Sequence, residues 1–185
     1  MPTDERRARP AVLSPNILIT GTPGTGKTTI GREVANLLAY TYLNVGEIIQ
    51  SEGFADSYDS EFDAVVPDED RLLDFLEETL RGGSGFVLDF HSSELFPERW
   101  IAQHPLGTVI VLRCDTSTLH DRLAERKYPE IKIQENMNAE IMRVCLDEAL
   151  ESYPKGQVFS FQNNSTDDKE KIIDFVRKRI GQPKA

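Results

Sequence analysis

The sequence of 185 residues predicts one α/β domain, in which a mostly parallel sheet lies between two layers of helices. Short apolar runs alternate along the chain with segments whose apolar residues recur at helical spacing. Two of the runs, residues 86–90 and Thr108–Arg113, are apolar almost throughout, as expected of strands buried on both faces. A glycine-rich segment at residues 21–28 joins an earlier apolar run to a helical segment. Together, these three observations predict the three-layer arrangement.

The first half of the chain is predicted to alternate between strand and helix. In order, its elements are a strand at about 16–20, a helix at about Lys27–Leu38, a short strand ending near Val45, a helix from about Gly46 and an irregular segment at 53–67. Asp68 is suited to cap the next helix, because its side chain can accept hydrogen bonds from free backbone N–H groups. That helix carries leucines at helical spacing, namely Leu72, Leu73, Leu76 and Leu80.

The second half continues the alternation. In order, its elements are strands at 86–90 and Thr108–Arg113, helices at about 116–126 and 135–153, a strand at 157–161 and a last helix capped by Ser165 or Thr166. The last helix is expected to bury Ile172, Ile173, Val176 and Ile180. Residues 1–15 are predicted to form a disordered tail, which leaves 16–181 as a single domain.

Composition narrows the possible functions. The chain carries 31 acidic and 21 basic residues, a net charge of −10, which argues against general binding of nucleic acids. The charge fits either a basic protein partner or a solvated surface. Two cysteines, Cys114 and Cys145, favour buried thiols in a reducing compartment over a disulfide framework. Neither a signal peptide nor an apolar run of about 18 residues is visible, so no membrane association is expected.

The segment Gly21–Thr28 matches the phosphate-loop pattern G-x-x-x-x-G-K-[ST] between a strand and a helix. Glycines allow the backbone to wrap closely around phosphate oxygens, and the helix N-terminus adds positive charge. Lys27 supplies a cation for the outer phosphates, and the Thr28 hydroxyl is suited to hold Mg²⁺. Thr29 either contacts a phosphate or only caps the first helical turn. The pattern predicts a nucleotide without saying which one, although no N-K-x-D guanine motif is present.

Asp89 and His91 follow the buried strand at 86–90. A buried carboxylate is costly unless it is paired or bound to a cation, so Asp89 is expected to orient Mg²⁺ through its water shell. The alternative for Asp89 is a helix cap or a local ion pair. His91 lies two residues further on, on the same side of an extended strand. It is suited to orient a water or a leaving phosphate or to carry a proton, unless it is only a hydrogen-bonded loop histidine.

Two arginines and a polar segment follow the strand Thr108–Arg113. Arg122 and Arg126 are four residues apart on one predicted helix face, and guanidinium groups suit the oxygens of a transferring phosphoryl group. The polar segment 127–136 is predicted to connect two helices as a small lid over the donor phosphates. Both arginines are also compatible with an ordinary surface role. The position of Arg126 at the lid edge favours a functional role for that residue.

The chain resembles the adenylate kinase isoenzyme six family, also called the coilin-interacting nuclear ATPase proteins. The resemblance covers roughly residues 15–180. It depends on the segments PNILITGTPGTGKTT, YLNVGEI, YDSEFD, PDEDRLLD, VLDFHSSELFPERW, VLRCDT, DRLAERKY and EIMRVCLDEALESY.

This resemblance implies a phosphate-loop NTPase fold of the nucleoside monophosphate kinase type. It has a five-stranded parallel sheet, a monophosphate-binding insertion at 44–67 and a short lid at 125–135. The family's aspartate-x-histidine motif falls on Asp89 and His91. The implied donor-nucleotide residues are Gly24, Gly26, Lys27, Thr28, Thr29 and Arg126.

The resemblance also implies activities and partners. Similar proteins use Mg²⁺ with ATP, transfer phosphate to AMP to give ADP, and hydrolyse ATP. They are associated with maturation of the small ribosomal subunit, with a basic small-subunit ribosomal protein, and with the nucleus as well as the cytoplasm.

Two positions depart from the family pattern. Gln50 stands where an arginine often binds the monophosphate, and a neutral amide binds a dianion less well than a guanidinium does. Lys127 follows Arg126 where a small residue is expected in the lid.

The predicted insertion is acidic. Residues 52–70 contain eight acidic residues and no lysine or arginine. Tyr58 and Phe62 stand among these acids and are suited either to meet a basic partner or to pack inward.

Three functional readings therefore stay open. The protein is a nucleoside monophosphate kinase, or an ATP-driven assembly factor for a basic ribosomal protein with incidental kinase activity, or a kinase for another small metabolite.

Overall fold

The computed structural model describes residues 14–60, 64–83 and 85–181. Its strands are β1 (Ile17–Gly21), β2 (Thr41–Asn44), β3 (Ala55–Asp59), β4 (Ala64–Pro67), β5 (Phe86–Asp89), β6 (Thr108–Arg113) and β7 (Val158–Gln162). Its helices are α1 (Lys27–Leu38), α2 (Val45–Ser51), α3 (Glu69–Arg81), α4 (Arg99–Ala102), α5 (Thr116–Glu125), α6 (Glu130–Ile141), α7 (Val144–Ser152) and α8 (Thr166–Ile180). Among the described residues, every helix is too short or too polar to span a lipid bilayer.

The central sheet has five parallel strands in the order β2-β5-β1-β6-β7, which confirms the predicted fold class. In this register Ile19 pairs with Asp89, and Gly21 pairs with Leu112. The carboxyl ends of β1, β5 and β6 therefore lie side by side. Ligands of open parallel sheets bind at this edge, so the predicted phosphate loop and the Asp89 segment meet where a site is expected.

A hydrophobic core packs against each face of the sheet. Leu18 and Leu88 point toward the core that contains residues of α3 and α7, whereas Ile19 and Val87 point toward the core of α1 and α8. Every residue of β1 and β5 is buried. Since both faces of these strands are covered by helices, their continuous apolar composition is explained.

Two predicted helix caps are confirmed by local hydrogen bonds. The Asp68 side chain accepts from the Arg71 backbone N–H at 3.2 Å, and the Ser165 hydroxyl oxygen accepts from the Asp168 N–H at 3.2 Å. The predicted apolar faces are also present: Leu72 and Leu76 are buried on α3, and Ile172, Ile173 and Val176 are buried on α8. Both cysteines are free thiols; Cys114 is buried, as predicted, whereas Cys145 is only partly buried.

The prediction for residues 53–67 was wrong, because the segment contains the antiparallel hairpin β3–β4 in place of an irregular loop. These two short strands pair only with each other and lie outside the main sheet. None of their described side chains is buried, so they lack the apolar pattern that marks a core strand. Glu61, Phe62 and Asp63 lie outside the described residues.

The prediction of one helix at 135–153 was also wrong. Helix α6 begins at Glu130 and ends at Ile141, and α7 begins at Val144. Arg143 separates them with a left-handed backbone, φ 61°. The predicted polar connection at 127–136 is thereby shortened to the turn 126–129. The short helix α4 was not predicted. Of the predicted tail, only Ser14 and Pro15 are among the described residues.

Candidate functional site

The phosphate loop connects β1 to α1 and requires glycine at two positions. Gly24 and Gly26 have φ values of 95° and 96°, a region that other residues rarely adopt. A Cβ at Gly24 would lie 2.8 Å from a Leu119 methyl group, and one at Gly26 would lie 2.5 Å from the Asn163 amide nitrogen. Helix α1 begins with no side-chain cap and no acidic residue in its first turn. Its free N–H groups and positive end are therefore available to an anion.

Lys27 lies inside the loop. Its ammonium group donates to the backbone oxygens of Gly21 at 2.7 Å and Thr22 at 3.2 Å. Burial lowers the pKa of Lys27, and the charge of Arg126 lowers it further, while Asp89 opposes both effects. Lys27 is thus electrostatically coupled to two other predicted catalytic residues, Asp89 and Arg126.

Asp89 is 3% exposed and accepts two hydrogen bonds on the same carboxylate oxygen. The Thr28 hydroxyl donates at 3.0 Å, and the Tyr42 hydroxyl donates at 2.6 Å. Both of these donors are neutral hydroxyl groups. Buried carboxylate charge and hydroxyl oxygen together form the hard donor set that Mg²⁺ prefers, so the residues fit the predicted metal.

Tyr42 was missed by sequence reasoning. It reaches Asp89 because β2 lies beside β5 and because Gly31 on α1 leaves room for its ring: a Cβ at Gly31 would lie 2.6 Å from the ring. Burial, followed by the hydrogen bond to Asp89, raises the pKa of Tyr42, so its hydroxyl remains a donor. A tyrosine in a short strand carries no local signal of this contact.

His91 follows β5, and its ring packs against Phe90 with centroids 4.3 Å apart. Its backbone oxygen accepts from the Thr20 hydroxyl at 2.9 Å, which holds the main chain in place. His91 is exposed at the surface, but neighbouring protein atoms still desolvate its ring. This desolvation, aided by the charge of Lys27, lowers the pKa of His91 to about 4. The ring is therefore neutral near pH 7, which favours the predicted orienting roles.

A cleft of about 690 Å³ opens on one side of the phosphate loop, and we call it the Arg126 cleft. Its lining includes four of the predicted donor-site residues, namely Gly24, Gly26, Thr29 and Arg126. The opposite wall was not predicted in detail and consists of Asn163, Asn164, Ser165, Thr166 and Lys169.

Arg122 also lines the Arg126 cleft, but its guanidinium is engaged with backbone oxygens. It donates to Asn163 at 2.9 Å and to Gly24 at 3.4 Å. The Asn163 amide in turn donates to the Thr25 oxygen at 2.7 Å. Arg122 therefore joins the phosphate loop to the segment after β7, and these contacts favour the structural reading of this arginine.

A second cleft, of about 750 Å³, borders the loop through other residues than the Arg126 cleft does, and we call it the His91 cleft. Thr22 and Pro23 of the loop, Gln50 of α2 and His91 contribute to its lining. Glutamates from three helices also line it, namely Glu69, Glu135 and Glu148, with Lys132 as a basic residue. Burial, followed by the charge of Glu94, raises the pKa of Glu148.

The turn 126–129 contributes to both clefts: Arg126 lines the Arg126 cleft, and Tyr128 lines the His91 cleft. Lys127 adopts a left-handed backbone with φ 58°, the conformation in which a glycine is least strained. Of the small residues, glycine would relieve that strain, because it has no Cβ. A further cleft of about 380 Å³, lined by Asn16 and Trp100, lies near the amino ends of the strands and far from the loop.

A parallel sheet with a phosphate loop at the carboxyl ends of its strands defines the class of phosphate-loop α/β proteins. Solved structures share this fold: shikimate kinase from Acinetobacter baumannii in complex with shikimate has a TM-score of 0.60 at 19% identity, covering 89% of this chain and 92% of that one. A gluconokinase from Sinorhizobium meliloti 1021 has a TM-score of 0.56 at 15% identity, covering 91% and 92%.

Sequence comparison is more specific. The family model described as AAA domain matches residues 17–143. The adenylate kinase isoenzyme 6 homolog of Caenorhabditis elegans is 39% identical over 183 residues, covering 98% of this chain and 95% of the relative. The homolog of Saccharomyces cerevisiae is 41% identical over 155 residues, covering 83% and 76%. The chain belongs to the family of adenylate kinase isoenzyme 6 homologs.

Proposed function

We propose that this protein transfers the γ-phosphoryl group of ATP to AMP and yields two molecules of ADP. The observation that carries this proposal is a pair of separate clefts that border one phosphate loop through different loop residues. In-line phosphoryl transfer needs the donor and the acceptor on opposite sides of the transferred group. The names of the relatives support adenine nucleotides as the two substrates.

In this proposal the Arg126 cleft takes ATP and the His91 cleft takes AMP. The loop N–H groups and Lys27 bind the outer phosphates, and Arg126 neutralises charge on the transferring group. Thr28 and Asp89 would hold Mg²⁺, which when bound supplies positive charge to the phosphate oxygens. Catalysis then comes from positioning and electrostatics without a covalent enzyme intermediate.

A measurement of two products tests the proposal. Purified protein is given ATP and Mg²⁺, and ADP and free phosphate are followed with and without AMP. Transfer to AMP requires ADP to increase on AMP addition without a matching increase in free phosphate. Release of free phosphate that is indifferent to AMP would overturn the kinase proposal in favour of an ATPase. Transfer only to another metabolite would favour the third reading.

We also propose that ATP is hydrolysed when water replaces AMP, with His91 orienting that water. Replacing His91 with alanine should lower hydrolysis by about 10- to 100-fold, because an orienting group is lost. Binding of a fluorescent ATP analogue should change by less than about threefold, since the ring lines the other cleft.

The exposed His120 of α5 provides the matched control, and its replacement by alanine should leave hydrolysis unchanged. Unchanged hydrolysis in His91→Ala would show that the histidine is only a loop residue.

Gln50 offers a gain-of-function test of the acceptor cleft. Replacing it with arginine should lower the KM for AMP by about tenfold, because a guanidinium pairs with a dianionic phosphate more strongly than a neutral amide does. The KM for ATP should stay the same. Gln103→Arg, which adds the same charge near the amino ends of the strands, is the control. An unchanged KM for AMP in Gln50→Arg would contradict the assignment of this cleft to AMP.

An assembly role is the second candidate, and the β3–β4 hairpin favours it. Tyr58, Val65 and Val66 of this hairpin are 59%, 41% and 44% exposed, which is unusual for apolar side chains near one another. The surrounding segment 52–70 is acidic and lacks lysine and arginine. Exposed apolar groups among acids suit a basic protein partner. In this reading the partner is a small-subunit ribosomal protein, and the protein acts in small-subunit maturation, in the nucleus and the cytoplasm.

Binding to a basic small-subunit ribosomal protein, measured with and without ATP, tests the assembly role. Charge reversal at Asp56 on the hairpin should weaken the complex, whereas reversal at Asp174 on α8 changes net charge equally and should not. An affinity that is unchanged both by ATP and by the Asp56→Lys substitution would contradict this second candidate. Fluorescence imaging of the tagged protein would test its proposed distribution between nucleus and cytoplasm.

A further inference from the structure

A buried carboxylate on α6 contacts the phosphate loop, although none of the roles described above uses it. Glu140 is 2% exposed and lies in the last turn of α6. One carboxylate oxygen accepts from the Thr22 hydroxyl at 2.6 Å. The other accepts from Arg113 Nε at 2.5 Å and from the Cys114 backbone N–H at 3.1 Å. Arg113 also donates to the Glu140 backbone oxygen at 2.8 Å.

Thr22 connects this carboxylate to the catalytic lysine. Thr22 is 1% exposed, and its backbone oxygen accepts from Lys27 at 3.2 Å and from the Thr25 hydroxyl at 2.8 Å. The Thr22 side chain therefore points to α6 while its main chain contacts Lys27. A change at Glu140 would reach Lys27 through a single residue.

Helix α6 also forms one wall of the His91 cleft. Lys132, Glu135, Asn136 and Ala139 of this helix line that cleft, and Glu140 is the next residue. The other end of α6 follows the turn that carries Arg126. Glu140 is thus the point at which the wall of the acceptor cleft is hydrogen-bonded to the phosphate loop and to the end of β6.

We propose that Glu140 is a positioning residue, which holds the phosphate loop and Lys27 in the geometry for transfer by means of its hydrogen bond to Thr22. This inference rests on the proposed function. Glu140 itself does not touch substrate. Its buried carboxylate is paired with Arg113. Burying an ion pair costs desolvation free energy that a purely apolar contact would avoid. Because transfer depends on sub-ångström placement, a loosened loop should slow catalysis more than it weakens acceptor binding.

Thr22 provides the cleanest variants, because its replacement leaves the Arg113–Glu140 pair in place. Thr22→Val removes the hydroxyl at nearly constant volume, and we expect kcat to fall by about 10- to 100-fold with a change in the KM for AMP below about threefold. Thr22→Ser restores the donor and should recover most of the lost kcat. Thr79→Val is the matched control, since the Thr79 hydroxyl donates to Phe75 within α3 at 2.8 Å.

A double-mutant cycle tests the route through Thr22. Glutamine at position 140 replaces one of the two acceptor oxygens with a donor NH₂ group, so either Thr22 or Arg113 loses the acceptor that it has in the wild type. If Glu140 acts through Thr22, Glu140→Gln should lower kcat in the wild-type background but lower it little further in Thr22→Val. If the two substitutions act independently, so that their fold-reductions in kcat multiply in the double variant, the proposed route is overturned. Normal kcat in Thr22→Val would overturn the positioning role itself.

Hydrogen exchange gives a readout that does not depend on activity. In nucleotide-free protein, Thr22→Val should speed exchange in peptides that cover residues 21–28, whereas Thr22→Ser and Thr79→Val should not. Unchanged exchange in Thr22→Val would overturn the inference even if the wild type proved inactive. If exchange becomes faster in Thr22→Val as expected, but the wild type makes no ADP from AMP, the result counts against the proposed function alone.

Discussion

Replacing Lys27 with alanine should reduce both phosphate transfer and ATP hydrolysis by a factor on the order of 100 to 1,000, since the loss of one preorganised charge in a water-poor site has effects of this size. The ammonium group is the cation that the phosphate loop itself supplies. In the nucleotide-free protein it donates to Gly21 and Thr22, whose backbone oxygens hold it inside the loop. Phosphate oxygens would take the place of these neutral acceptors and form stronger, charge-assisted hydrogen bonds.

The measurement is the rate of ADP and free phosphate production at saturating Mg²⁺ and ATP. The fold should survive the substitution, because the hydrogen bonds of the Lys27 side chain go to main-chain oxygens of its own loop. Lys155→Ala, at an exposed position before β7, is the control and should stay within about twofold of the wild type. Near-normal turnover in Lys27→Ala would refute the phosphate-binding role of the loop.

Replacing Asp89 with asparagine should separate activity from stability. Turnover should fall by about 100-fold, because the neutral amide no longer attracts Mg²⁺ or organises its water shell. Thermal unfolding of the nucleotide-free protein should occur at an equal or higher temperature. The Asp89 carboxylate is buried and receives its hydrogen bonds from the hydroxyls of Thr28 and Tyr42, so its charge costs desolvation energy in the folded state.

A Mg²⁺ titration of turnover distinguishes this role from a structural one. In Asp89→Asn the Mg²⁺ concentration for half-maximal activity should increase. Tyr42→Phe keeps the carboxylate but removes one hydroxyl donor, and its effect should be about tenfold or less. A wild-type Mg²⁺ dependence combined with a lower unfolding temperature in Asp89→Asn would mean that this carboxylate is structural.

Local patterns were the reliable part of the prediction. The phosphate loop is contiguous, so its glycines and Lys27 are recognisable without any tertiary contact. Asp68 and Ser165 cap helices through hydrogen bonds that reach three residues along the chain. The buried strands β5 and β6 were recognised because their continuous apolar composition reflects burial on both faces.

Weak or misleading local signals explain the errors. Both strands of the β3–β4 hairpin are short and largely solvated, so they lack the apolar alternation of a core strand. The break between α6 and α7 lies at Arg143, and an arginine with a positive φ value cannot be anticipated from helical propensity. The surrounding packing determines such a conformation.

By itself, the sequence determined the fold class, the family, and the position of a phosphate loop followed by Asp89 and His91. Tertiary structure alone decided which distant residues complete the site. The strand order brings Tyr42 to Asp89, and the packing of α6 brings Glu140 to Thr22, 118 residues away. The physical reason is that caps and loops depend on interactions within a few residues. Contacts between distant segments depend instead on how every layer packs, and no short window of sequence contains that information.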